Sequence, residues 1–450
     1  MKILVLVKVI KGEINPFDES ALECALQMSN DVTVITMGPK NNEEMLKPLT
    51  RLGAKVTLIS DSVFAGSDTL ATSYILSSAI KKTDYDLILA GRQSIDGDTA
   101  QVGPMVSQML GINLITNAMK INIGGEKVIA QTRLGEECAS LPALVTVERG
   151  YVLRFPSIFS KQSEVKIVDN SILRCDEEKC GLKGSPTRVI KTFENEKGKR
   201  KCKFIAYNEL SPLIKSLKET QKSVEETKSQ ALKLKSVWAI GNEVLEKARV
   251  ISEEVILIEK TSPEEIAKRA IAEKPDVILW SADLWGRKNA PIVAAMLSTG
   301  LCADCTQLET DGDEFYMYRP AQGGSLYAKV KCLTKPKMAT IRTKSESSEI
   351  IVAGGKGIAE KLDKLRLLAE EFNGELAASR GLVDMGKALY EMQVGLTGKT
   401  ISPKIYIAVG ISGAVHHTCA IEGADIIIAI NPDKNARIFD YADYGILEKF

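Results

Sequence analysis

Residues 86–111 read DLILAGRQSIDGDTAQVGPMVSQMLG, and this stretch decides the fold class. Its apolar opening predicts a strand buried on both faces, and the Gly- and Asp-containing loop after it stands where open α/β sheets bind ligands. The same alternation surrounds it, with strand-like KILVLV and DVTVITMG and helix-like ESALECALQM and SYILSSAIKK. The sequence therefore predicts an α/β fold, with a parallel sheet covered by helices on both faces.

Three later stretches repeat this plan in the same order. DVIL at 276–279 matches DLIL at 86–89, PIVAAMLSTG at 291–300 resembles PMVSQMLG at 104–111, and PKMATI at 336–341 resembles PALVTV at 142–147. The simplest interpretation is two related α/β domains in one chain. Between them, the charged stretch 216–235 contains neither Gly nor Pro, which indicates a helical or flexible connector.

A third parallel α/β unit begins after residue 347. It contains the strand-like IIVAGG, IYIAVG and ADIIIAI, with the helical KLDKLRLLAEEFN after the first of them. We expect ligand loops at 354–357, 379–380 and 411–417. The predicted boundaries are 1–215 for the first domain, 216–236 for the connector, 237–345 for the second domain and 346–450 for the third.

Composition and charge exclude several classes of protein. The 450 residues exceed one ordinary core, and 59 Lys and Arg nearly cancel 58 Asp and Glu, so charge does not indicate nucleic acid or anionic lipid. The basic run 197–203 indicates a solvated turn rather than a nucleic-acid patch. No apolar run approaches the ~20 residues of a membrane span, and the N-terminus predicts a buried strand rather than a signal peptide. Nine cysteines without framework spacing favour a reducing compartment, so we expect a cytoplasmic protein.

The stretch KIYIAVGISGAVHH at 404–417 predicts a strand, a turn and a helix. Backbone N–H groups of such a turn and the helix N-terminus attract phosphate, Ser412 adds a hydroxyl, and Gly413 allows a close approach to the backbone. This pattern alone is weak, because many strand–helix turns contain Gly and Ser. Two further loops of the same kind favour a nucleotide cofactor.

The two histidines of the chain, His416 and His417, are adjacent. Neighbours on a helix lie roughly 100° apart and do not converge on one ion, so we predict no metal site even with Cys419 nearby. The remaining interpretations are a cofactor contact, or one helix-cap histidine beside an exposed one.

Several long stretches share one resemblance. QVGLTGKTISPKIYIAVGISGAVHH at 393–417, AASRGLVD at 377–384, AINPD at 429–433 and IFDYADYG at 438–445 resemble the FAD-binding part of the alpha subunit of electron transfer flavoproteins. GRKNAPIVAAMLSTGLCADCTQL at 286–308 and YRPAQGGSLYAKVKC at 318–332 resemble the N-terminal domain of that subunit. INPFDESALECAL at 14–26, GRQSIDGDTAQVGPM at 91–105 and GLKGSPTRV at 181–189 resemble the beta subunit. The chain thus resembles both subunits fused, with the beta-like half first.

The resemblance implies a two-domain base that carries a mobile FAD domain. Arg380 would lie over the isoalloxazine, Thr397 near flavin N5, and His417 near the N1–O2 edge, where a donor or cation stabilises the reduced flavin; these three form the implied catalytic set. Ser379, Ser412 and Gly413 would hold the pyrophosphate, and Asn431 would reach the adenosine. The full implied FAD set is Gly355, Lys356, Gly357, Ser379, Arg380, Gln393, Val394, Gly395, Thr397, Gly398, Ile411, Ser412, Gly413, Ala414, His416, His417, Asn431 and Asp433.

The chain departs from the family pattern at three places. His416 stands where glutamine is usual, and Lys356 stands in a Gly-rich loop where arginine is common. The chain ends just after YADYGILEKF, so the acidic residue that commonly follows this motif is replaced, at best, by Glu448.

In the beta-like half the resemblance implies a second nucleotide, either FAD or a structural AMP. The implied residues are Leu6, Asn15, Phe17, Asp18, Met37, Asp96, Gly97, Asp98, Thr99, Gln101, Val102 and Gly103. GRQSIDGDTAQVGP at 91–104 resembles the loop of electron-bifurcating members, whereas AMP-binding members more often carry Asp at position 97 and Thr at position 102. A second FAD is the favoured prediction, because Gly97 and Val102 leave room and remove a competing charge.

The resemblance predicts an electron carrier with FAD, and favours bifurcation of electrons from NADH by two FAD. The alternatives are a simple carrier with one FAD and one AMP, and a flavin-free nucleotide-binding regulatory protein. The implied partners are an acyl-CoA-type or other flavin dehydrogenase, together with ferredoxin, flavodoxin or a quinone-linked oxidoreductase. The dehydrogenase-docking loop would be 151–166, where Ile158 and Phe159 form either an apolar anchor or a buried strand end.

Cysteine spacing adds no metal site to this prediction. CADC at 302–305 is a lone CxxC, and we expect packing to be its role.

Overall fold

The computed structural model describes residues 1–132, 134–194, 200–219, 234, 236–311, 314–324, 326–342, 348–395 and 398–450. The chain divides into two compact units. Unit 1 comprises Met1–Thr192, Gln230–Gln322 and Ala328–Ile341, and unit 2 comprises Phe193–Ser229, Gly323–Tyr327 and Arg342–Phe450. Most of the predicted connector lies outside the described residues.

Strands and helices alternate along most of the chain, as predicted. The first part forms β1 (Lys2–Leu6), β2 (Val9–Ile10), β3 (Glu13–Ile14), α1 (Pro16–Met28), β4 (Asp31–Met37), α2 (Glu43–Thr50), β5 (Lys55–Ile59), α3 (Thr69–Ile80), β6 (Leu87–Gly91), α4 (Val102–Leu110), β7 (Asn113–Ala118), β8 (Lys120–Gly124), β9 (Lys127–Thr132), β10 (Gly135–Ser140), β11 (Ala143–Val147), β12 (Lys166–Val168), α5 (Asn170–Leu173) and β13 (Thr187–Glu194). The middle part forms β14 (Lys203–Phe204), α6 (Leu210–Glu219), β15 (Val237–Ile240), α7 (Leu245–Ile251), β16 (Val255–Ile258), α8 (Pro263–Glu273), β17 (Val277–Ser281), α9 (Leu284–Met296), β18 (Leu301–Cys305), β19 (Gln307–Asp311), β20 (Glu314–Ala321), β21 (Leu326–Cys332) and β22 (Lys337–Ile341). The last part forms β23 (Ile350–Gly354), α10 (Leu362–Glu371), β24 (Glu375–Ser379), α11 (Arg380–Asp384), β25 (Gln393–Val394), β26 (Ile405–Val409), α12 (Val415–Thr418), β27 (Ile426–Ile430) and β28 (Tyr444–Ile446).

Unit 1 contains two parallel sheets built on one plan. The larger has the order β12-β5-β4-β1-β6-β11-β7 and the smaller the order β16-β15-β17-β22-β18. The repeated sequence stretches occupy equivalent places, at β6 and β17, at α4 and α9, and at β11 and β22. Helices α4 and α9 pack against each other, where Met105 and Val293 share a buried apolar cluster. The structure thus confirms the α/β class and shows the repeat as two sheets of matching order.

The third parallel sheet lies in unit 2. Its order is β14-β28-β27-β26-β23-β24-β25, and its strands are buried Ile-, Val- and Ala-rich runs, as expected for a sheet covered on both faces. The chain builds outward from β23 in both directions, so the order reverses between β23 and β26. In open α/β sheets ligands bind in the crevice beside such a reversal.

Residues 203–219 belong to unit 2, whereas the sequence-based boundaries placed 203–215 in the first domain and 216–219 in the connector. β14 pairs with β28, and α6 buries Leu210 and Ile214 in the core beneath the third sheet. Arg200, from the predicted solvated basic turn, pairs with the carboxylate of Asp443 and donates to the carbonyl of Ala424. The polar stretch after α6 marks a break in composition, but the apolar stripe of α6 decides its packing partner.

Two loops at the ends of β26 and β27 approach each other closely at Gly413. Its φ is +83°, and an added Cβ would lie 2.1 Å from the backbone nitrogen of Ile438. The Ile438 N–H donates to the Ser412 carbonyl at 3.2 Å. The space that a side chain at position 413 would need is therefore taken by the chain itself, while the predicted contact of the Gly413 backbone with a ligand stays a prediction.

Within the described residues no helix is long and apolar enough to cross a membrane.

Replacing Ile214 by Ala tests the assignment of α6. Ile214 is 1 % exposed, so the substitution should lower the stability of unit 2 by about 2–5 kcal/mol, because a cavity is left in its core. Hydrogen exchange measured peptide by peptide should show the loss in 348–450 and not in 1–192. Ile190→Ala, at a position 52 % exposed, is the control and should stay within about 0.5 kcal/mol. Loss of protection in 1–192 alone would contradict the assignment.

Replacing Gly413 by Ala tests the close approach of the two loops. The variant should lose about 3 kcal/mol or more, because the new Cβ meets backbone and the residue keeps a left-handed φ. Gly386→Ala is the matched control, since its φ is +68° with no atom within 4 Å of an added Cβ. It should cost only about 1–2 kcal/mol of strain. Equal losses of stability in the two variants, measured by thermal denaturation, would contradict the predicted clash between the added Cβ and the backbone of Ile438.

Candidate functional site

The strand ends of the third sheet bring the predicted loops together. Register pairs Gly354 with Val409, and Val409 with Ile430, so three successive loops start level at one edge of the sheet. The N–H of Gly355 donates to the carbonyl of Val409 at 2.8 Å, and the N–H of Gly357 to that of Gly410 at 3.3 Å. An added Cβ at Gly355 would meet the Gly410 oxygen at 2.1 Å, so glycine is needed for this crossing.

The predicted FAD residues divide into an exposed rim and a buried floor. Lys356, Gly357, Ser412, Ala414, His416 and Asp433 are exposed, and Ser379, Arg380 and Gly398 are half-buried. Gly355, Gln393, Val394, Gly395, Ile411, Gly413, His417 and Asn431 are buried. Thr397 lies outside the described residues.

The rim carries two cations on neighbouring loops. Arg380 begins α11 directly after β24, and its Nε lies 3.1 Å from Asp384 Oδ2 one turn later. Lys356 follows β23, and its side chain covers Gly381. Helix α12 has four residues, so its dipole contributes little to the binding of an anion. The turn before it would contribute mainly its backbone N–H groups.

Asn431 braces two loops in the described geometry. Its amide nitrogen donates to the Ile411 carbonyl at 2.9 Å, and its oxygen accepts from the Asp433 N–H at 2.9 Å. The side chain therefore fixes the loop after β26 relative to the loop after β27. The contact of Asn431 with adenosine stays a prediction.

His417 is buried, and both of its ring nitrogens contact protein atoms. Nε2 lies 2.7 Å from the hydroxyl of Tyr406, and Nδ1 lies 3.1 Å from the Val394 carbonyl oxygen. Burial lowers the pKa of His417 to about 4, although its hydrogen bond to the Val394 carbonyl raises it. The ring is thus uncharged at neutral pH in this structure, and its contact with the flavin edge stays a prediction. His416, its neighbour, is exposed.

These residues fit a flavin nucleotide. The crevice is lined by backbone and buried apolar groups, with the fixed charge of Arg380 and the charge of Lys356 on its rim, a donor set suited to a dinucleotide. Among the described residues no group of three or more His, Cys, Asp or Glu is arranged to hold a metal ion. Glu448 lies apart on the surface, where it accepts from the Tyr207 N–H at 3.4 Å.

The second predicted site lies at the strand ends of the first sheet. Asp18 is buried and accepts from the N–H groups of Lys8 at 2.8 Å and Gly91 at 3.1 Å, while Asn15 donates to the Gln93 carbonyl at 2.9 Å. Burial raises the pKa of Asp18 to about 7, although its hydrogen bonds lower it. Asn15 and Asp18 therefore tie the loops after β1 and β6 together rather than reach outward.

The loop that follows β6 is held by polar contacts in unit 1. Asp96 pairs with Lys8 at 2.7 Å, Asp98 accepts from Gln93 at 3.0 Å, and Gln101 donates to the Leu301 carbonyl at 3.0 Å. An added Cβ at Gly97 would meet only the Ser94 hydroxyl, at 3.4 Å, within 4 Å. The remaining predicted residues are the buried Leu6, Phe17 and Gly103 and the half-buried Met37, Thr99 and Val102.

Arg319 joins this loop from β20, and the sequence did not single it out. Its Nη1 donates to the Gly97 carbonyl at 2.6 Å, yet the side chain is 7 % exposed and Nε and Nη2 have no partner in the described structure. Its only signal in the sequence is its place in the YRPAQGGS motif, 222 residues from Gly97. Unpaired donors on a buried guanidinium are costly, so Arg319 is a candidate contact for an anionic ligand.

The predicted docking loop is exposed, which decides between its two interpretations. Ile158 and Phe159 are 85 % and 86 % exposed, and Phe155 is 95 % exposed. They form an apolar surface rather than a buried strand end.

Cys302 and Cys305 of β18 are buried in an apolar core, as the packing prediction requires.

Two family models together match most of the chain. The model of the electron transfer flavoprotein domain matches residues 3–172 and 230–364, and that of the electron transfer flavoprotein FAD-binding domain matches residues 345–422. An electron transfer flavoprotein subunit beta from Thermoanaerobacterium thermosaccharolyticum is 42 % identical over 40 % of this chain and 75 % of its own length. The subunit alpha of the same organism is 38 % identical over 40 % of this chain and 69 % of its own length.

A third relative, protein FixB from Azorhizobium caulinodans, is 39 % identical over 39 % of this chain and 60 % of its own length. One chain therefore matches relatives of both subunit types, in agreement with its two related base sheets and its separate FAD-type sheet. The chain belongs to the electron transfer flavoprotein family, with beta-like and alpha-like parts fused in one polypeptide.

Proposed function

We propose that this electron transfer flavoprotein binds two FAD molecules and bifurcates the electron pair of NADH. Of the two electrons that NADH would release in becoming NAD⁺ and a proton, one would go to the FAD held by unit 2 and the other to a separate low-potential acceptor, ferredoxin or flavodoxin. Bound flavin supplies this redox chemistry, because it accepts two electrons together and releases them one at a time.

Arg319 is the observation that carries the proposal. Its two unpartnered nitrogens lie buried beside the loop 96–103, and a ligand with an anionic ring edge or pyrophosphate would satisfy them. The space beside Gly97 supports a bulky ligand, since an Asp at this position would add a charge and fill it. The ion pair of Lys8 and Asp96 holds the loop 96–103 and does not involve Arg319.

In unit 2, Arg380 and Lys356 would hold the other FAD. Their positive charges would favour the reduced, negatively charged form of the cofactor. The buried Gln393–Gly395 segment would exclude water from one side of the ring. Transfer between the cofactor and a dehydrogenase then depends on a docking surface outside this pocket.

The alternative is a simple carrier with one FAD and one AMP. AMP brings one phosphate that Arg319 would bind, but it has no redox-active ring and could not take part in electron transfer. A flavin-free regulatory protein is the third candidate, and a colourless protein that does not bind added FAD would favour it. The free cysteines of the described residues suit a reducing compartment, and we propose a cytoplasmic protein.

Counting nucleotides tests the proposal directly. Acid extraction of the purified chain should release two FAD per chain and no AMP, and NADH should bleach the flavin absorbance. Arg319→Gln should lower the FAD content toward one per chain, because only the unit 1 site loses its donors. Arg319→Lys keeps the charge and should retain more of the second FAD. One FAD and one AMP from the unchanged chain would defeat bifurcation.

We also propose that Phe155, Ile158 and Phe159 dock an acyl-CoA-type or other flavin dehydrogenase. Exposed aromatic side chains on one loop are suited to anchor a partner through apolar contact. A quinone-linked oxidoreductase is the alternative acceptor for a simple carrier.

Reduction of the flavin by an acyl-CoA dehydrogenase and its substrate measures this docking. Phe155→Ser with Phe159→Ser should weaken the apparent affinity about 30-fold or more, because two apolar anchors are lost. Leu333→Ser, at an exposed position elsewhere in unit 1, is the control and should leave the rate unchanged. Unchanged kinetics in the double variant would reject the docking surface, and a wild-type chain that is not reduced would reject this partner class.

A further inference from the structure

The docking loop 151–166 of unit 1 contains a tight turn. The N–H of Ser160 donates to the carbonyl of Ser157 at 3.1 Å, so Ile158 and Phe159 occupy the two central positions of this turn. The Ser160 hydroxyl donates to the same carbonyl at 2.7 Å, and the Ser157 hydroxyl accepts from the Phe159 N–H at 3.3 Å. The two exposed apolar side chains therefore stand on a turn that hydrogen bonds close.

Arg51, the residue that follows α2, contacts both ends of this turn. Its Nη2 donates to the Ser157 carbonyl at 3.1 Å, and its Nε donates to the Ser160 carbonyl at 3.3 Å. The guanidinium holds its N–H groups in a planar fork, so the two bonds together define where the turn lies relative to α2. Ser157 stands 106 positions after Arg51 in the chain, so this attachment is a product of tertiary folding.

The two ends of the docking loop are tied down separately. At the first end, the buried carboxylate of Glu23 in α1 accepts from Arg154, from Nη2 at 2.8 Å, from Nε at 3.0 Å and from the backbone N–H at 3.1 Å. At the other end, the N–H of Ser163 donates to the Thr50 hydroxyl at 2.9 Å. Arg51 adds an attachment between these two, at the turn that carries the apolar side chains.

A turn that is formed before docking lowers the free-energy cost of docking. A loose loop loses backbone and side-chain freedom when a partner binds it, and this loss opposes association. The turn 157–160 is closed and held to α2 in the free chain, so much of that loss has already occurred on folding. Without Arg51 the turn would keep only its own short-range hydrogen bonds.

We propose that Arg51 is a positioning residue, which fixes the turn 157–160 and thereby presents Ile158 and Phe159 to the dehydrogenase in their docked arrangement. Arg51 acts through two backbone carbonyls and does not itself have to contact the partner. The proposal rests on the docking surface proposed above, but not on a second FAD or on bifurcation.

Hydrogen exchange of the full chain without a partner tests the turn. In Arg51→Met, which keeps the apolar length of the side chain, the Ser160 amide should exchange about tenfold faster, because the turn loses two bonds from a charged donor. Arg51→Lys keeps the charge without the fork and should give a smaller increase. Arg249→Ala, at an exposed position of α7, is the control and should leave the Ser160 amide unchanged, while protection of β4 reports an intact fold in every variant. Unchanged exchange at Ser160 in Arg51→Met would overturn the proposal.

Reduction of the flavin by an acyl-CoA dehydrogenase and its substrate separates positioning from chemistry. Arg51→Met should raise the concentration of chain needed for half-maximal rate about tenfold, because the turn must be ordered on docking. The maximal rate should stay unchanged, since the docked complex is the same. In a background of Ile158→Ser with Phe159→Ser, the substitution should change this concentration less than about twofold, because the side chains that the turn presents are gone. An equal effect in both backgrounds, or no effect in either, would refute the role of Arg51 in docking.

Failure of the docking surface itself gives a different result. If Ile158→Ser with Phe159→Ser leaves the kinetics unchanged, the surface is rejected, and the presentation of these side chains is rejected with it. If that double variant docks weakly but Arg51→Met docks as well as the unchanged chain, only the positioning role is rejected.

Discussion

Parallel strand pairing is the constraint on which the rest of this structure depends. When every strand of a sheet runs the same way, all carboxyl ends fall at one edge and all loops that follow them converge there. Both faces must then be covered, which is why the strands are continuous apolar runs. Polar chemistry is left only at the strand ends. In unit 2 this single rule brings Gly355, Arg380, Ser412 and Asn431 to one crevice although they lie far apart in the chain.

The two base sheets show how one plan serves two purposes. At the first sheet, the loop after β6 contacts the buried Arg319, which has two nitrogens without a partner. In the second, the equivalent edge is closed by Lys260, which pairs with Glu243 at 2.7 Å and with Asp283 at 2.8 Å. These three residues follow β16, β15 and β17, so the ion pairs join the loops where a ligand would otherwise sit. The two sheets therefore share their strand order but differ in the charges at the edge where the strands end.

The sequence was sufficient for the fold class, because buried strands and repeated motifs are local signals. It also predicted the ligand loops, since Gly-rich turns follow recognisable strands. It was not sufficient for the roles of individual side chains. Asp18, Asn431 and His417 were predicted to contact cofactors, but their hydrogen bonds to backbone groups of other loops could not be predicted.

Those partners are brought near only by tertiary folding, and no spacing in the chain reveals them. Arg319 was missed for the same reason. The boundary at 215 was placed by composition, and composition does not show which core an amphipathic helix joins. From the sequence, the apolar residues Ile158 and Phe159 could equally be buried or exposed, and only the structure shows that they are 85 % and 86 % exposed.

The position of β14 and α6 has a consequence for biosynthesis. These elements leave the ribosome well before β26 and β28, yet their partners in the sheet and core are made last. The growing chain must therefore carry the apolar face of α6, including Leu210 and Ile214, without its partner while some 200 residues are still to be added. A gene divided between α6 and β15 would place a strand and a helix on one polypeptide and their partners on the other. The first fragment would then have to insert β14 and α6 into the second fragment, and neither fragment could complete the third sheet alone.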